Sequence, residues 1–449
     1  MNISRSRMLL FSWLLPFTAL AEPIQPTHEF TLQNGLKVVV REDHRAPVVT
    51  SQLWFKVGSS DEPPGKSGLS HALEHMLHKG SSKTCAGEVS AILDNLGATH
   101  NAFTDSDVTT YHQTVQPHQL GVAFELMADM ISTAHLRAED FIPELAVIQE
   151  ERRLRVDDDP DKIAQERLSS IAFPASSYGA PIIGWLHDLQ RLNADDLRHW
   201  YQTYYAPGNA TLVIVGDVTL EKVKPQVERY FGVLAARPFV AARTSLELAE
   251  PGERKVILHQ AIPAPRLIMS FNAPSLATVE NRRTVHALRL LNTLLAGSNS
   301  ARLRKRLQLT DRLFSSISSE YNSLYRGDSL LTLTAQLHSQ RNESLDQAQA
   351  RIWELLDELK SAPPDSVELE RARTQLIATQ IYDRDDIVNQ ARNLGALESI
   401  GLSWRLMEED IDELNQVTPA DIQHVARTYL TRQRLSTAHV HVHVEKNNE

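Results

Sequence analysis

The stretch "GLSHALEHMLHKGSS" (residues 68–82) places His71, Glu74, His75 and His78 within eight positions. His71 and His75 are four apart, so on a helix their imidazoles lie on one face, one turn apart. That spacing lets both grip a single Zn²⁺ through ring nitrogens at about 2.0–2.1 Å. Glu74, three residues from His71, lies on the same side and can reach a metal-bound water without being a ligand. The order H-x-x-E-H is the inverted form of the zinc-peptidase helix. Taken alone, the motif also fits a solvated helix face. His78, one turn beyond His75, reads as an outer neighbour of the metal or as exposed.

Two histidines leave a catalytic zinc one protein ligand short, and a carboxylate from a second helix would complete the set. "DFIPELAVIQEERRLRVDDDP" (Asp140 to Pro160) reads as that helix, with Asp140 as its cap and Pro160 near its end. Glu144 and Glu151 are seven apart and share a face, with Ile148 between them and Val147 beside it. An unpaired carboxylate beside a buried stripe is costly, and a cation removes the cost. Glu150 points about 100° away, toward solvent. "RRLRVDDD" beyond it reads as a charged helix end. Ser67 is expected to cap the histidine helix and Gly80 to end it.

Two further features invite chemistry. "HVHVH" puts His439, His441 and His443 on one face of a strand, a spacing that can bind metal, although a C-terminal strand with its valines inward needs no such role. Cys85, the single cysteine, reads as buried packing, because no His–acid arrangement points to it as a nucleophile.

These residues must be positioned by a chain of 449 residues, long enough for two or three domains. Its 42% hydrophobic and 23% charged residues describe a globular protein. Residues 1–21 differ: Arg5 and Arg7, the apolar run "MLLFSWLLPF" and "ALA" at Ala19 to Ala21 read as a cleaved secretory signal peptide. No later run is long and apolar enough for a membrane span, so a periplasmic location is expected. The formal charge is −10, and loss of the leader's two arginines makes it more negative, which disfavours nucleic-acid binding. With one cysteine no internal disulfide can form, so the cores alone must hold the protein.

The chain also says things twice. "LNADDLRHWYQTYYAP" (192–207) resembles "VTPADIQHVARTYLTR" (417–432) at a constant offset of 225 residues. Each reads as a helix followed by a β-rich segment, "ATLVIVGDV" and "STAHVHVHV". More weakly, "APVVTSQLWFKVGS" matches "APRLIMSFNAPS", each a strand followed by a helix, the first containing "HALEH" (71–75) and the second "HALRL" (286–290). If that last match is real, the second copy has lost the acid and one histidine. A duplicated domain follows. Strands and helices do not alternate strictly, so the expected class is α+β: two similar domains, each a mixed or antiparallel sheet covered by helices. The expected boundaries are 22–235 for the zinc-bearing domain, 236–254 for a linker and 255–449 for a second domain of similar fold without a zinc site.

At this point the sequence resembles the pitrilysin/insulinase family of inverted zinc peptidases, which includes mitochondrial processing peptidase. "GLSHALEHMLHKGS" looks like the family's zinc helix. "LDNLGATHNAFTDSDVTTYH" (93–112) looks like the segment that follows it, with Asn101, Ala102 and Thr104 in the family's places. "ELAVIQEE" (144–151) looks like its distal glutamate helix, and "AGSNSARL" in the second half extends the likeness over nearly the whole mature chain. The resemblance implies His71, His75 and Glu151 as ligands of one Zn²⁺ per chain, Glu74 as general base and Glu144 as a supporting acid near the metal. It implies two domains facing each other like a clam shell. It also implies a peptide substrate that adds as a strand beside the zinc at "HNAFT", with Asn101 and Ala102 in contact. The implied reaction is hydrolysis of peptides or unfolded segments by a zinc-bound water.

One departure stands out. In many active relatives the second half carries an Arg, and a Tyr seven residues later, that reach the substrate. In "RLQLTDRLFSSISS" (306–319) Gln308 and Ser315 take those places, with Arg306, Arg312 and Phe314 nearby but out of register. Local substitutes or a second subunit would be needed, so a dimer is expected, more naturally with a related zinc-lacking chain than with itself. The competing function class is a non-catalytic peptide-binding or scaffolding protein of the same fold.

Overall fold

Runs such as "KVVVR" and "TLVIV" are apolar at successive positions, the signature of strands buried on both faces. The computed structural model, which describes residues 26–443, shows what covers each face. The expected leader, 1–21, lies outside the described residues.

The first half contains strands β1 (Thr27–Thr31), β2 (Lys37–Glu42), β3 (Val49–Phe55), β4 (Thr99–Thr104), β5 (Thr109–Val115) and β6 (Ala210–Gly216). Its helices are α1 (Leu69–Leu77), α2 (Glu88–Asn95), α3 (Leu120–Thr133), α4 (Ala138–Arg152), α5 (Pro160–Ala172), α6 (Leu186–Leu189), α7 (Ala194–Tyr204) and α8 (Leu220–Tyr230). Residues 235–253 carry neither helix nor strand. The second half contains β7 (Arg254–Gln260), β8 (Arg266–Ala273), β9 (Phe314–Tyr321), β10 (Ser329–Leu337) and β11 (Leu435–Val442). Its helices are α9 (Arg282–Ala296), α10 (Leu345–Ser361), α11 (Ser366–Asp383), α12 (Ile387–Ser399), α13 (Leu406–Asn415) and α14 (Pro419–Tyr429).

The two halves repeat one topology. The sheets are ordered β1-β2-β6-β3-β5-β4 and β7-β11-β8-β10-β9. In each, one parallel pair (β2 with β6, β7 with β11) sits beside antiparallel neighbours. The fold class is therefore α+β with two similar mixed sheets, β1 being an addition to the first. Helices α7 and α14, at the 225-residue offset, occupy equivalent places, each preceding its sheet's inner parallel strand. So do α1 and α9, and in α9 His286, Arg289 and Leu290 stand where α1 has His71, Glu74 and His75. Arg289 there makes a bidentate pair with Asp410.

The sheets are covered on opposite faces by helices from different halves. Val38, Val40, Leu53, Phe55, Leu212 and Ile214 face a core shared with α1, α3 and α7. Their alternates Val39, Trp54, Val213 and Val215 face Ala391, Leu394 and Leu397 of α12, a helix of the second half. Reciprocally, Ala164 and Leu168 of α5, a first-half helix, cover Ile268, Ala438 and Val440 of the second sheet. Each half thus lends a helix to the other. Arg326 of the second half adds a polar tie: its buried guanidinium reaches Ser60 at 3.0 Å and Asp61 at 2.9 Å, and its backbone N–H donates to Asp107 at 2.8 Å.

Several local expectations are corrected. Ser67 does not cap α1: its hydroxyl donates to Asp188 at 2.6 Å, and Gly68 is the cap residue. The first N–H groups of α1 go instead to Glu62, whose carboxylate accepts from Gly68 at 2.7 Å and Ser70 at 2.6 Å. The helix ends at Leu77, before Gly80. Asp140 lies inside the first turn of α4 and pairs with Arg137, which holds the cap position. Pro160 opens α5, capped by Asp159. Cys85 is exposed, because it lies on the turn between α1 and α2 and not under either helix.

Candidate metal centre

Helices α1 and α4 cross so that their polar residues meet at the edge of the first sheet. Leu73, Met76 and Leu77 of α1 and Ile148 of α4 are buried in the first core, which fixes the opposite faces toward each other. His71 and His75 come from one helix turn of α1, with ring centroids 4.6 Å apart. Glu151, from the last turn of α4, places Oε2 3.3 Å from His75 Nε2 and 3.6 Å from His71 Nε2. Among the described residues, these are the only three or more His, Cys, Asp or Glu side chains whose ligand atoms converge, within 4.8 Å of one another.

The surrounding contacts fix each group. His75 Nδ1 lies 2.9 Å from Glu144 Oε1, which directs Nε2 toward Glu151. Lys79 pairs with the other oxygen of Glu144. Arg155 binds Glu151 Oε1 at 2.8 Å, leaving Oε2 buried with no hydrogen-bond donor. Glu74 accepts a hydrogen bond from Thr104 Oγ1 at 2.5 Å. Glu150 points away and pairs with Arg153. His78 packs its ring against Tyr111.

Electrostatics matches this geometry. Burial, and then the proximity of His75, push His71 well below its ordinary pKa, so it is neutral near pH 7, as a metal ligand has to be. Burial also lowers the affinity of His75 for its proton, but Glu151 and Glu144 together overcome it and raise His75. The site therefore attracts positive charge. Burial raises Glu74, against the opposing bond from Thr104. These residues fit a zinc ion. Two neutral imidazoles and a carboxylate are a zinc donor set, and the buried Oε2 of Glu151, otherwise without a partner, faces both Nε2 atoms.

The site opens into a chamber of about 940 Å³ between the halves. His71, Glu74, Glu151 and Arg155 line one wall, and Ser270, Glu320 and Thr332 line the other. Strand β4, "THNAFT", is the edge of the first sheet beside this chamber, pairing only with β5. Asn101 is exposed on it and Ala102 half-buried. Of the residues at the second-half departure, Gln308, Ser315, Arg306 and Arg312 all lie outside the chamber lining. Gln308 instead donates to the Ser315 carbonyl at 3.0 Å, and Arg306 pairs with Asp311. Neither arginine lines the chamber.

Residues 37–185 match the family described as Insulinase (Peptidase family M16), and residues 191–376 match Peptidase M16 inactive domain. Zinc protease PqqE of Helicobacter pylori is 30% identical over 358 residues, 79% of each chain. The chain belongs to the insulinase family of peptidases, M16. This M16 chain is also 28% identical to the uncharacterized zinc protease YmxG of Bacillus subtilis, over 90% of its own length and 95% of YmxG. The crystal structure of a protease from Helicobacter pylori superposes with a TM-score of 0.86 at 26% identity, covering 93% of this chain and 99% of that one. The clam-shell arrangement of two similar halves is the fold that such a superposition describes.

Sequence reasoning placed the ligand candidates but missed Lys79 and Arg155, and it read Arg155 only as part of a charged helix end. Arg155 lies four residues after its partner Glu151, and that helical i, i+4 spacing was the signal available. Lys79 instead reaches across to Glu144 of α4, a pairing that no local spacing gives. Thr104 was noted only as part of a pattern, since its contact with Glu74 crosses from strand to helix.

Proposed function

We propose that the chain is an exported zinc endopeptidase that hydrolyses peptides or unfolded segments in the periplasm. The first half, 22–235, acts as the zinc-bearing domain, joined by 236–254 to a second domain, 255–449. The observation that carries this reading is the convergence of Glu151 Oε2 on the Nε2 atoms of His71 and His75, with Glu74 one turn away and an open sheet edge alongside. Family membership and relatives named zinc proteases support it. That no described helix is long and apolar enough to cross a membrane is compatible with it.

His71, His75 and Glu151 would hold the zinc, which when bound lowers the pKa of a water toward ~7 and polarises the scissile carbonyl. The chain's own groups do the rest. The exposed backbone groups of β4 at Asn101 and Ala102 pair with an extended peptide and set its register. Thr104 fixes Glu74 Oε2, which leaves Oε1 to take a proton from the water and pass it to the leaving amine. Burial of Glu74 raises its proton affinity, which suits a base that must hold that proton briefly. Glu144 holds His75 Nδ1–H and so keeps its Nε2 available.

The decisive experiment measures zinc content and hydrolysis of an unstructured peptide before and after Glu74→Gln. The variant should keep the zinc content of the wild type and lose several orders of magnitude in rate. Wild-type protein with zinc but no turnover, alone or with a co-purifying homologue, would favour the non-catalytic peptide-binding reading.

A specific observation favours division of labour. The second-half residues that stand in for the substrate-holding Arg and Tyr lie outside the chamber. A peptide held only at β4 is loosely oriented, and misplacement of about 1 Å lowers rate on the order of a hundredfold. The chain is therefore proposed to act as a dimer with a related, zinc-lacking subunit. Full activity of a zinc-loaded monomer, unchanged by the homologue, would refute this assembly.

A further inference from the structure

The parallel strands β7 and β11 place His259 directly opposite His441. Their imidazoles stack with centroids 5.4 Å apart and planes 25° apart. His439, two residues earlier on the same face, has its ring 6.4 Å from that of His441. His443 follows two residues later. The opposite face of β11 is fully used, with Ala438, Val440 and Val442 packed beneath α5. Alternation therefore forces the histidines onto the other side of the sheet. On that side the start of α10 buries His439, whose Nε2 meets Gln349 Oε1 at 2.9 Å, and the cover ends toward His441 and His259.

His259 is exposed on the sheet's outermost strand and His441 is half-buried. Two imidazoles stacked across a strand pair gain nothing from each other when protonated. The 5.4 Å separation is close to the 4.6 Å between His71 and His75 in the zinc-helix site. Here the ring nitrogens are stacked and not converged. Both rings have solvent on one side, so rotation between staggered side-chain wells can aim them at a common point.

We propose that His259 and His441, with a third imidazole from the same face of β11, form a second transition-metal site at the edge of the C-terminal sheet. Imidazole-rich donor sets select Zn²⁺, Cu²⁺ or Ni²⁺ over Mg²⁺ and Ca²⁺, and the nearby carboxylate of Asp346, 3.9 Å from His439 Nδ1, is already paired with Lys255 at 2.8 Å. A metal bridging the two strands would tie β7, which is paired on one side only, to β11. It would stabilise the folded second half by mass action. The site is independent of the chamber, whose lining includes none of the four histidines.

The test is equilibrium dialysis of the mature chain against Zn²⁺, with thermal unfolding followed in parallel. Wild-type protein should take up two equivalents, and His259→Gln, a change on an exposed strand position, should take up one. His71→Ala should also take up one, and its melting temperature should rise with added Zn²⁺. That rise should vanish in His71→Ala/His259→Gln. Uptake of one equivalent by wild type, or of two by His259→Gln with an unchanged zinc-induced rise, would overturn the proposal. Because His71→Ala and His259→Gln remove different equivalents, failure at one site is distinguishable from failure at the other.

Discussion

Arg155 Nη1 lies 2.8 Å from Glu151 Oε1, and this contact decides which oxygen of Glu151 faces the two histidines. With Oε1 engaged, Oε2 is turned toward His71 and His75, so in the proposed site Glu151 would offer the metal one oxygen. Arg155 is largely exposed, so its ion pair contributes little to stability. Its effect is orientation. Arg155→Ala should weaken zinc binding by about 10- to 100-fold, the range for residues that orient a ligand. Competition against a chelator of known affinity measures this, and an unchanged zinc affinity would assign Arg155 no part in the site.

Glu144 is poised between His75 Nδ1 and Lys79. Glu144→Gln can still accept from Nδ1–H but no longer balances Lys79, whereas Glu144→Ala removes the acceptor. Zinc affinity should fall in the order wild type, Glu144→Gln, Glu144→Ala, with the last down about 10- to 100-fold. Lys79→Met should behave like the milder variant. Equal affinities across the series would show that His75 needs no orienting partner.

Thr104 should matter for rate and not for metal. Thr104→Val keeps the shape of the strand end but removes the donor to Glu74. Zinc content should match that of the wild type while kcat drops about 10- to 100-fold, because Glu74, the proposed base, loses its fixed orientation. Thr104→Ser should restore most of it. Loss of zinc in Thr104→Val would move its role from the base to the ligands.

The contact between α12 and the first sheet leaves no room for growth. A Cβ on Gly395 would lie 2.2 Å from Trp54 Nε1. Trp54 is buried, so it cannot step aside without disturbing the sheet. Gly395→Ala should destabilise by about 1–3 kcal/mol or more, and Leu394→Ala by about 2–5 kcal/mol through a cavity at the same interface. Urea unfolding reads both. A neutral Gly395→Ala would mean that α12 is held more loosely than its packing indicates.

The histidine helix and the glutamate helix were legible because each is written in local spacing, four and seven residues, and the internal duplication because it recurs at a constant offset of 225 residues. What covers the second face of each sheet was not. The continuous apolar runs in β2 and β6 announce two buried faces, but an apolar stripe on α5 or α12 carries no address, so the exchange of helices between halves is visible only in three dimensions. Caps failed for a related reason. Ser67 and Asp140 are good cap residues by type, yet Asp188 and Arg137 compete for their side chains. Arg155 lay within reach of the helical spacing rule, but long basic side chains near helix ends usually face solvent, and Lys79 has a partner, Glu144, that becomes evident only once α1 and α4 are set against each other.

The exchange of α5 and α12 has a consequence for severed protein. Segment 235–253 is the covalent bridge, yet it is not what keeps the halves together. A protease nick within it, or expression of the two halves as separate genes, should leave fragments that co-elute as one particle, since each would otherwise expose the valine-rich back of its sheet to water. Either fragment made alone should be insoluble or aggregate, while the two made together should complement. The domain pair thus behaves less like beads on a string than like an obligate heterodimer that happens to share one chain.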